Sequence, residues 1–560
     1  MKKIIVFFMT LVLVFIVTGC SKKPTAKIEN EDIRRSSYKF DLSVDDKDMV
    51  TKGSVLVNFY KVADKEESLV STKTLTTFSE TVSVSGLESN TDYRCDVLCT
   101  YNKKSHIIYT WFIKTNEAGT EFDPVEIKTA NEFVDCITND YSSDVYYKLA
   151  NDIDFSEYKD EEGKAKEFSG VSTTSSTAFA GHFDGAGYTI KNVTVTSSST
   201  YNGIFGYLKG VVENVNFENI KVNVTRDSST TTYIGSICGY GYQAQLINVK
   251  VDGIDITVDA KTQYTGGVIG YAFATNTNNV KVTNLAIDTK NATKAYVGGI
   301  TSYLCQNSSS KYGKLYDSTV KGTIKTTNVS ALYYGGLVGL LKAGSEINKC
   351  ISDISADIKA YGEVKAGGLV GQANLNSVDY KGYIKNVVSK GNITFKTYKD
   401  AELKEDSNDV IVGGLIGSAT SVITSSAYIE MELNVEAKMA SEKNLYVGLV
   451  FGNGHEYHTT LSNSIINGSI VAATAESDAE AKINIHGYDG SSFIEAGDEK
   501  PLSSIDSETV GYVNLDIKVD GTDSSYPTPI ELADASTKAA WDMNIFNVEV
   551  RGNSISISFK

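Results

Sequence analysis

A phrase of glycines and apolar residues recurs along much of this 560-residue chain and decides its architecture. Its best copies read YTGGVIG (264–270), YYGGLVG (333–339) and IVGGLIG (411–417). Eight copies, some weaker or shortened, end at positions 206, 239, 270, 302, 339, 371, 417 and 452, so the steps are 33, 31, 32, 37, 32, 46 and 35 residues. A period in this range indicates stacked supersecondary units that bury their apolar faces only against their neighbours.

A second signature, apolar-x-Asn-apolar, follows most copies and opens a run of alternating apolar residues. Val212-Glu213-Asn214-Val215 is one example, and the alternation is typical of strands with one face inward. Asparagine tolerates the left-handed backbone of a sharp corner, and its amide can stack on an equivalent amide in the next coil. We therefore predict one structural asparagine ladder, formed by Asn192, Asn214, Asn248, Asn284, Asn386 and Asn463.

The repeat predicts an all-β chain in which each coil contains about three short strands. No helical period is present between residues 180 and 480, where β-branched residues and tyrosine dominate. The chain has five prolines, and none lies between 125 and 500. In a parallel solenoid nearly every strand is central, so a neighbouring coil needs each backbone N–H.

The Gly-Gly-Leu-Val-Gly phrases resemble the GLUG-motif repeats of bacterial surface proteins. That resemblance covers about residues 125–485, and FAGHFDGAGYTI (179–190) resembles the first coil that precedes such repeats. It implies a right-handed parallel β-helix, a pectin-lyase-like solenoid, in which the repeats serve mostly as scaffold.

Residues 1–20 have the pattern of a bacterial signal peptide. Lys2 and Lys3 precede an apolar stretch, 4–17, that is too short to span a bilayer. The stretch ends in Val17-Thr18-Gly19-Cys20, which resembles a lipobox and implies that Cys20 carries the lipid anchor. The alternative is an ordinary secretory signal in which the cysteine is incidental.

Residues 21–35 are polar and predict a tether, and residues 36–117 predict a seven-strand β-sandwich. Within the second segment, 87–97 resembles the tyrosine-corner segment of fibronectin type III domains. The inner tryptophan common in that family is absent early in the chain, where Phe40 is the candidate replacement.

A linker, 118–127, precedes the solenoid. Thr129 and Glu132 fit a capping box, which predicts a short helix over 129–137 that closes the open end of the coils. Residues 486–560 lose the repeat and are predicted to form a C-terminal cap.

The formal net charge is −16, which disfavours binding to nucleic acid. Six cysteines remain when Cys20 is set aside. Cys95 and Cys99 face the same side of one predicted strand, too far apart for a disulfide, and Cys238 occupies an apolar position of the repeat. We expect buried thiols, no zinc site and no cofactor.

The fold raises the possibility of polysaccharide lyase or glycosidase activity, but the residues give it little support. Arg226 is the only arginine between 95 and 550, and Asp184 lies in a turn-forming Phe-Asp-Gly. Asp152 and Asp154 are the other acidic candidates. The two histidines of His455-Glu456-Tyr457-His458 are three apart, not the four that a zinc peptidase helix requires. No catalytic or metal residue is assigned.

We therefore expect a lipoprotein on the extracellular face of a bacterial membrane, whose solenoid adheres without catalysis to a glycan or to a host or matrix surface protein. The alternatives are a polysaccharide-degrading enzyme and a passive envelope scaffold. Two departures from the repeat, 156–178 and 399–409, are candidate specificity loops or simply solvated loops. The repeat tyrosines either stack on sugars or pack inward. The sequence leaves the oligomeric state open.

Overall fold

The computed structural model describes residues 23–523 and 545–560, except for positions 34–36, 46–47, 49, 64–65, 89, 116–118, 122–123, 140–142, 144, 307–312, 343, 375–381, 399–408, 439–442, 455–458, 475–481, 486–503, 506–507 and 552–553. The predicted signal segment and Cys20 lie outside the described residues. The chain divides into two compact units, Met1–Thr120 and Glu121–Lys560.

The first unit contains two antiparallel sheets of three and four strands. In spatial order, the three-stranded sheet consists of Ala26–Ile33, Ser37–Val44 and Ser79–Ser85. The four-stranded sheet consists of Glu66–Thr74, Leu56–Ala63, Asp92–Tyr101 and Lys104–Lys114.

The two sheets contribute to one buried cluster. The Phe40 ring lies 6.4 Å from that of Phe59 and 5.3 Å from that of Trp111, in an edge-on contact. Cys95 and Cys99 are buried in the same cluster as free thiols, as their spacing predicts. Alternation of apolar and polar residues thus places one face of each sheet inward.

The prediction of a tether over 21–35 is wrong in part, because Ala26–Ile33 is an edge strand that pairs with Ser37–Val44. Only Ala26, Ile28 and Ile33 of this strand pack against the core. The remaining residues are polar, so the sequence lacks the apolar alternation by which a strand is recognised.

The second unit contains a right-handed parallel β-solenoid of about eight turns, from about residue 146 to 474. Each full coil has two short strands around the Gly-Gly phrase and one long strand or strand pair. They form three parallel sheets, named here the first short sheet, the second short sheet and the long sheet.

The strands follow one another from coil to coil in each sheet. The first short sheet contains Tyr201–Asn202, Thr232–Gly235, Thr262–Gly266, Lys294–Gly298, Ala331–Gly335, Val364–Gly367, Val410–Gly413, Asn444–Gly448 and Lys482–Ile485. The second contains Phe205–Leu208, Cys238–Tyr242, Ile269–Phe273, Thr301–Cys305, Val338–Lys342, Val370–Asn374, Ile416–Thr420 and Phe451–Gly454. The repeated coils of the long sheet contain Val211–Arg226, Gln245–Ala260, Asn276–Lys290, Lys314–Tyr316 with Thr319–Val329, Glu346–Ala360, Gly382–Thr397, Val422–Ala437, and Thr460–Ser462 with Ser464–Thr474.

The Gly-Gly phrase marks the turn where successive backbones come closest. A Cβ atom on Gly299 would lie 2.2 Å from the carbonyl oxygen of Gly336, and one on Gly267 would lie 2.1 Å from that of Gly299. The apolar residue that follows points inward, as the buried Ile300 and Leu337 show. The phrase therefore combines a backbone contact that excludes a side chain with a core residue.

The N-terminal end of the solenoid is closed by a helix, as predicted. The helix Ala130–Asn139 begins where the Thr129 hydroxyl accepts the Glu132 N–H at 3.1 Å. The Phe133 ring is buried against those of Phe183 and Phe205, at 5.5 and 5.9 Å. The strands that start this unit are Val125–Ile127, Tyr146–Leu149, Ile153–Asp154, His182–Asp184, Thr189–Lys191 and Thr194–Ser197, and a 3₁₀ turn spans Phe155–Glu157.

At the C-terminal end, parallel stacking continues beyond the last recognisable phrase. Ser504–Ile505 and Val510–Val519 pair with the preceding coil, and Thr522–Asp523 turns back on the latter strand. The strands Phe546–Arg551 and Ser554–Phe559 form a hairpin.

The hairpin packs along the outer side of the long sheet. Its Phe546 and Ile557 are buried with Val388, Tyr428 and Ile465, which occupy one row on consecutive coils. Ile351, at this position on the preceding coil, also packs against the cluster, whereas the equivalent residues on the coils before it are polar: Asn216, Lys250, Lys281 and Thr319. A change from polar to apolar residues in this row therefore marks where the hairpin docks.

We predict that Gly299→Ala lowers the free energy of unfolding by about 3 kcal/mol, because the new methyl group overlaps the Gly336 carbonyl. Urea unfolding followed by circular dichroism measures the effect. Gly163→Ala is the control, since a Cβ there meets no atom within 4 Å and only its φ of +80° costs about 1 kcal/mol. Equal losses in the two variants would contradict the close-approach explanation.

Candidate functional site

One corner of the solenoid is a file of residues in the left-handed backbone conformation. The file crosses eight consecutive coils and consists of Asn214, Asn248, Asn279, Asp317, Lys349, Asn386, Ser426 and Asn463. Asn248 donates from Nδ2 to Oδ1 of Asn214 at 2.9 Å, and Asn279 donates to Asn248 at 2.9 Å. Where the amides stop, Asp317 and Lys349 continue the contact as an ion pair of 3.1 Å.

The prediction of a single asparagine ladder needs correction, because Asn192 and Asn284 lie in a second corner file. This file contains Asn192, Asn219, Gly253 and Asn284, all at positive φ. The two corners lie five residues apart in each coil, and both can show the apolar-x-Asn-apolar pattern. Sequence alone therefore assigned Asn284 to the corner that Asn279 occupies.

Chains of side-chain amides in these files end at carboxylates. Asn214 donates to Asp184 at 3.2 Å, and Asn192 donates to Asp154 at 2.9 Å. Outside the two files, Asn291 likewise donates to Asp259 at 2.9 Å. The hydrogen bond from Asn192 lowers the pKa of Asp154 to about 2, with help from the Ser156 N–H. A carboxylate is the strongest acceptor available for an amide that has no further coil to stack on.

The acidic candidates Asp152 and Asp184 also serve the backbone. Asp184 accepts the Ala186 N–H at 2.9 Å in its own turn, and Asp152 accepts the Thr189 N–H from the next coil at 2.8 Å. The guanidinium of Arg226 donates to the Thr200 hydroxyl at 3.0 Å. These contacts account for the residues as structural elements of corners and turns.

The repeat tyrosines form two facing stacks on the outer side of the short sheets, named here the tyrosine double file. One stack contains Tyr201, Tyr233, Tyr264, Tyr296 and Tyr333, and the other contains Tyr207, Tyr240, Tyr271 and Tyr303. Ring centroids within a stack are 4.4–5.4 Å apart, and rings of opposite stacks meet edge to face, as Tyr233 and Tyr240 do at 5.1 Å.

The tyrosines point outward, but their ring faces cover one another. Lys365 of the following coil lies 5.3 Å from the Tyr333 ring centroid and covers the last ring. Burial raises the pKa of Tyr207 to about 12 and also raises the pKa of Tyr264, so both phenols are neutral at physiological pH. The double file therefore presents ring edges and hydroxyl groups, not the open faces on which sugars stack.

A polar groove of about 560 Å³ lies on the outer side of the long sheet. Its residues come from consecutive coils and are Asp353, Lys390, Gly391, Asn392, Glu430, Met431, Glu432, Asn467, Gly468, Ser469 and Asn514. Asp353, Lys390, Glu430 and Asn467 form one row along the coils. Gly391 and Gly468, both at positive φ, contribute backbone without side chains to the groove.

The groove lies where the second corner disappears. The coil that contains Thr319–Val329 lacks the residue equivalent to Asn284, and the register shifts there between Val282 and Leu285. From that coil onward, one register row has a glycine on every second coil and a buried apolar residue on the coils between. In order along the solenoid, the row is Gly322, Ile354, Gly391, Met431 and Gly468. A left-handed residue returns at Asn514, at the edge of the groove.

The groove is rich in partly exposed hydrogen-bonding groups. Lys390 Nζ lies 3.0 Å from Glu430 Oε2, while Glu432 and Asn514 are exposed. Asn392 donates to the Ser355 hydroxyl at 3.1 Å. The lining residues include three carboxylates and one ammonium group, so the groove has a net negative charge. Carboxylates accept hydrogen bonds and amides both donate and accept, which suits ligands covered with hydroxyl groups.

The structure describes most of one predicted specificity loop and only one residue of the other. In 156–178, Glu161 and Glu162 are exposed, but Phe168 and Val171 are buried and pair with Val195 and Phe205, so this segment packs on the first coil. Of the segment 399–409, only Asp409 is described, and it accepts the Asn444 N–H at 2.8 Å. The His455–His458 segment lies outside the described residues.

The described cysteines at 95, 99, 136, 238, 305 and 350 form no disulfide. Five of them are buried as predicted, Cys238 in its expected core position, whereas Cys136 is only partly buried. Within the described residues no cluster of three or more histidine, cysteine, aspartate or glutamate side chains is placed to hold a metal ion. Nor does any helix in that part of the chain combine the length and apolarity needed to cross a membrane.

These features define an all-β protein whose larger unit is a parallel β-solenoid. No model of a known protein family matches the chain, and a search of curated proteins finds no significant match.

We predict that stability falls as the pH drops from about 4 to about 2, in part because Asp154 is charged and hydrogen-bonded in the folded state. Its folded pKa lies below the ordinary value of 3.8, so its contribution is complete above that value and is lost as the pH approaches 2. Urea midpoints measured across this range should fall less steeply in Asp154→Ala. Asn192→Ala should have the same effect, and an unchanged acid dependence in both variants would contradict the assignment.

Proposed function

We propose that this chain is a bacterial surface lipoprotein whose solenoid binds a hydroxyl-rich glycan without catalysis. The observation that carries the proposal is the polar groove, in which Asp353, Asn392, Glu430 and Asn467 line consecutive coils of one rigid sheet. A chain of sugars laid along the solenoid would meet a further hydrogen-bonding side chain of this row about every 4.8 Å. Rigid placement favours binding because little side-chain and backbone freedom is lost.

The charge of the groove restricts the class of glycan. Asp353, Glu430 and Glu432 outnumber Lys390, and the whole chain has a formal charge of −16. Polyanionic chains such as polyuronates are repelled by such a surface. We therefore propose neutral polysaccharides or those with amino sugars as ligands.

The resemblance to surface proteins supports the location. The glycine phrases resemble GLUG-motif repeats, and the pairing of three and four strands in the first unit resembles a fibronectin type III sandwich. In that unit the Tyr93 hydroxyl accepts the Glu88 N–H at 2.8 Å, a contact similar to a tyrosine corner. Both resemblances therefore favour a scaffold and a spacer at a bacterial surface.

A polysaccharide-degrading enzyme is the second candidate, because carboxylates meet in the same groove. Glu430 and Glu432 lie on one strand, and Asp353 lies two coils away with Lys390 between them, so the three acids border one groove. However, Lys390 and Lys321 hold Glu430 and Asp353 in ion pairs of 3.0 and 2.9 Å. Both carboxylates are therefore already engaged by lysines of the sheet, whereas a paired-carboxylate mechanism needs both groups directed at the glycosidic bond.

We predict that the chain from residue 21 onward binds at least one neutral or amino-sugar polysaccharide, and that Glu430→Ala weakens this binding about tenfold, the cost of one charge-assisted hydrogen bond. A glycan array identifies the ligand, and isothermal titration calorimetry gives the affinity. Glu436→Ala is the matched control, since Glu436 lies on the same strand and pairs with Lys396 at 2.9 Å outside the groove.

The same preparations decide between the two candidate functions. Release of reducing or unsaturated sugar ends that stops in Glu430→Gln would establish an enzyme. Binding that Glu430→Ala and Glu436→Ala weaken equally would remove the groove as the site, and binding only to polyanions would contradict the charge argument.

We also predict that Cys20→Ser releases the protein from the membrane fraction of a bacterial host, because the thioether-linked lipid is lost. Fractionation with immunoblotting, together with metabolic labelling by a fatty acid, measures both effects. Cys136→Ser is the control and should remain lipidated. A Cys20→Ser protein that still incorporates fatty acid would show that Cys20 is not the anchor residue.

A further inference from the structure

We propose that the tyrosine double file is a modification site, at which oxidation joins phenols of successive coils into intramolecular dityrosine. The stacks bring the same residue type face to face on neighbouring coils. The Tyr264 and Tyr296 rings are 4.4 Å apart with an interplanar angle of 11°, and the Tyr271 and Tyr303 rings are 4.5 Å apart at the same angle. The proposal does not depend on glycan binding.

The oxidant is hydrogen peroxide activated by a haem peroxidase. Each of two neutral phenols loses one electron and one proton and becomes a phenoxyl radical. The radicals couple between ring carbons next to the hydroxyl groups, and two ring protons move to the oxygens to restore aromaticity. One new carbon–carbon bond forms, and one peroxide is reduced to two waters.

The environment of the rings favours this reaction over others. Burial raises the pKa of Tyr264 and of Tyr271, so the phenols are neutral at physiological pH and give up the electron and proton together. Tyr264 and Tyr271 are also half-buried, with accessible edges but with the partner ring already in place. A radical formed on one ring therefore meets its neighbour before it meets another protein molecule.

The two stacks differ by one thiol. The Cys305 sulfur lies 3.7 Å from the Tyr271 hydroxyl and donates its proton to it. A phenoxyl radical at Tyr271 can take a hydrogen atom from this thiol, which restores the tyrosine and leaves a thiyl radical on Cys305. The 264–296 pair has no cysteine contact among those the structure describes. We therefore assign coupling first to Tyr264 and Tyr296.

Coupling ties together coils that are 32 residues apart in sequence. A covalent bond over this interval limits the freedom of the unfolded chain, as a disulfide does. In a solenoid each coil contacts only its neighbours, so one bond between adjacent coils opposes local unfolding of both. The cross-linked protein should therefore show a higher midpoint of thermal unfolding.

The test treats the purified full-length protein with hydrogen peroxide and a haem peroxidase, followed by dityrosine fluorescence and peptide mapping by mass spectrometry. The expected product is monomeric and contains the Tyr264–Tyr296 cross-link, at a rate independent of protein concentration. Tyr264→Phe keeps the stacked ring but lacks the phenol, so it should lose this cross-link. Cys305→Ser should raise the yield of the Tyr271–Tyr303 cross-link several-fold.

Tyr188 and Tyr383, which are 38% and 36% exposed, provide internal controls for oxidation. Oxidation of these residues without any cross-link between adjacent coils would overturn the proposal, as would products that form only between molecules. An unchanged Tyr271–Tyr303 yield in Cys305→Ser would overturn the role assigned to the thiol. Persistence of the 264–296 peptide in Tyr264→Phe would show that another residue couples to Tyr296.

Discussion

Parallel hydrogen bonding between successive coils is the constraint on which the second unit depends. Each strand of a coil lies between two others, so its N–H and C=O groups must match partners above and below. This excludes proline from 125–500 and requires glycine where turns approach within van der Waals contact, as at Gly267, Gly299 and Gly336. The sequence of the repeat is thus determined by backbone contacts between coils as much as by apolar burial.

In-register stacking places equivalent side chains next to each other, and their chemistry decides whether the contact is favourable. Amides donate and accept, so asparagines form chains that end at Asp184 or Asp154. Rings stack, as in the tyrosine double file. Opposite charges also meet in this way, as in the Lys390–Glu430 pair.

Features that arise within one repeat could be predicted from sequence, whereas those that depend on relations between coils could not. The glycine turn, the inward Cys238 and the Thr129 cap each rest on local chemistry, and the structure contains all three. Assigning Asn284 to a corner required the register between coils, which sets it opposite Gly253 and not opposite Asn248. The polar groove went unrecognised for the same reason, because its residues are spread over Asp353–Asn514 and no single repeat shows a motif.

The departure from regular winding explains why binding is proposed at this part of the solenoid. Once the second left-handed corner is lost, the long sheet carries Gly391 and Gly468 in the row that continues from Leu285, next to the missing corner, and side chains on either side leave a groove. The adjacent row turns apolar over the same coils, and the C-terminal hairpin covers it through Phe546 and Ile557. A uniform solenoid offers the same surface on every coil and has no means of selecting one ligand position. In this solenoid, the second corner residue is missing from the later coils, and the C-terminal hairpin covers the neighbouring row. Together these two features limit the polar surface to one part of an otherwise periodic scaffold.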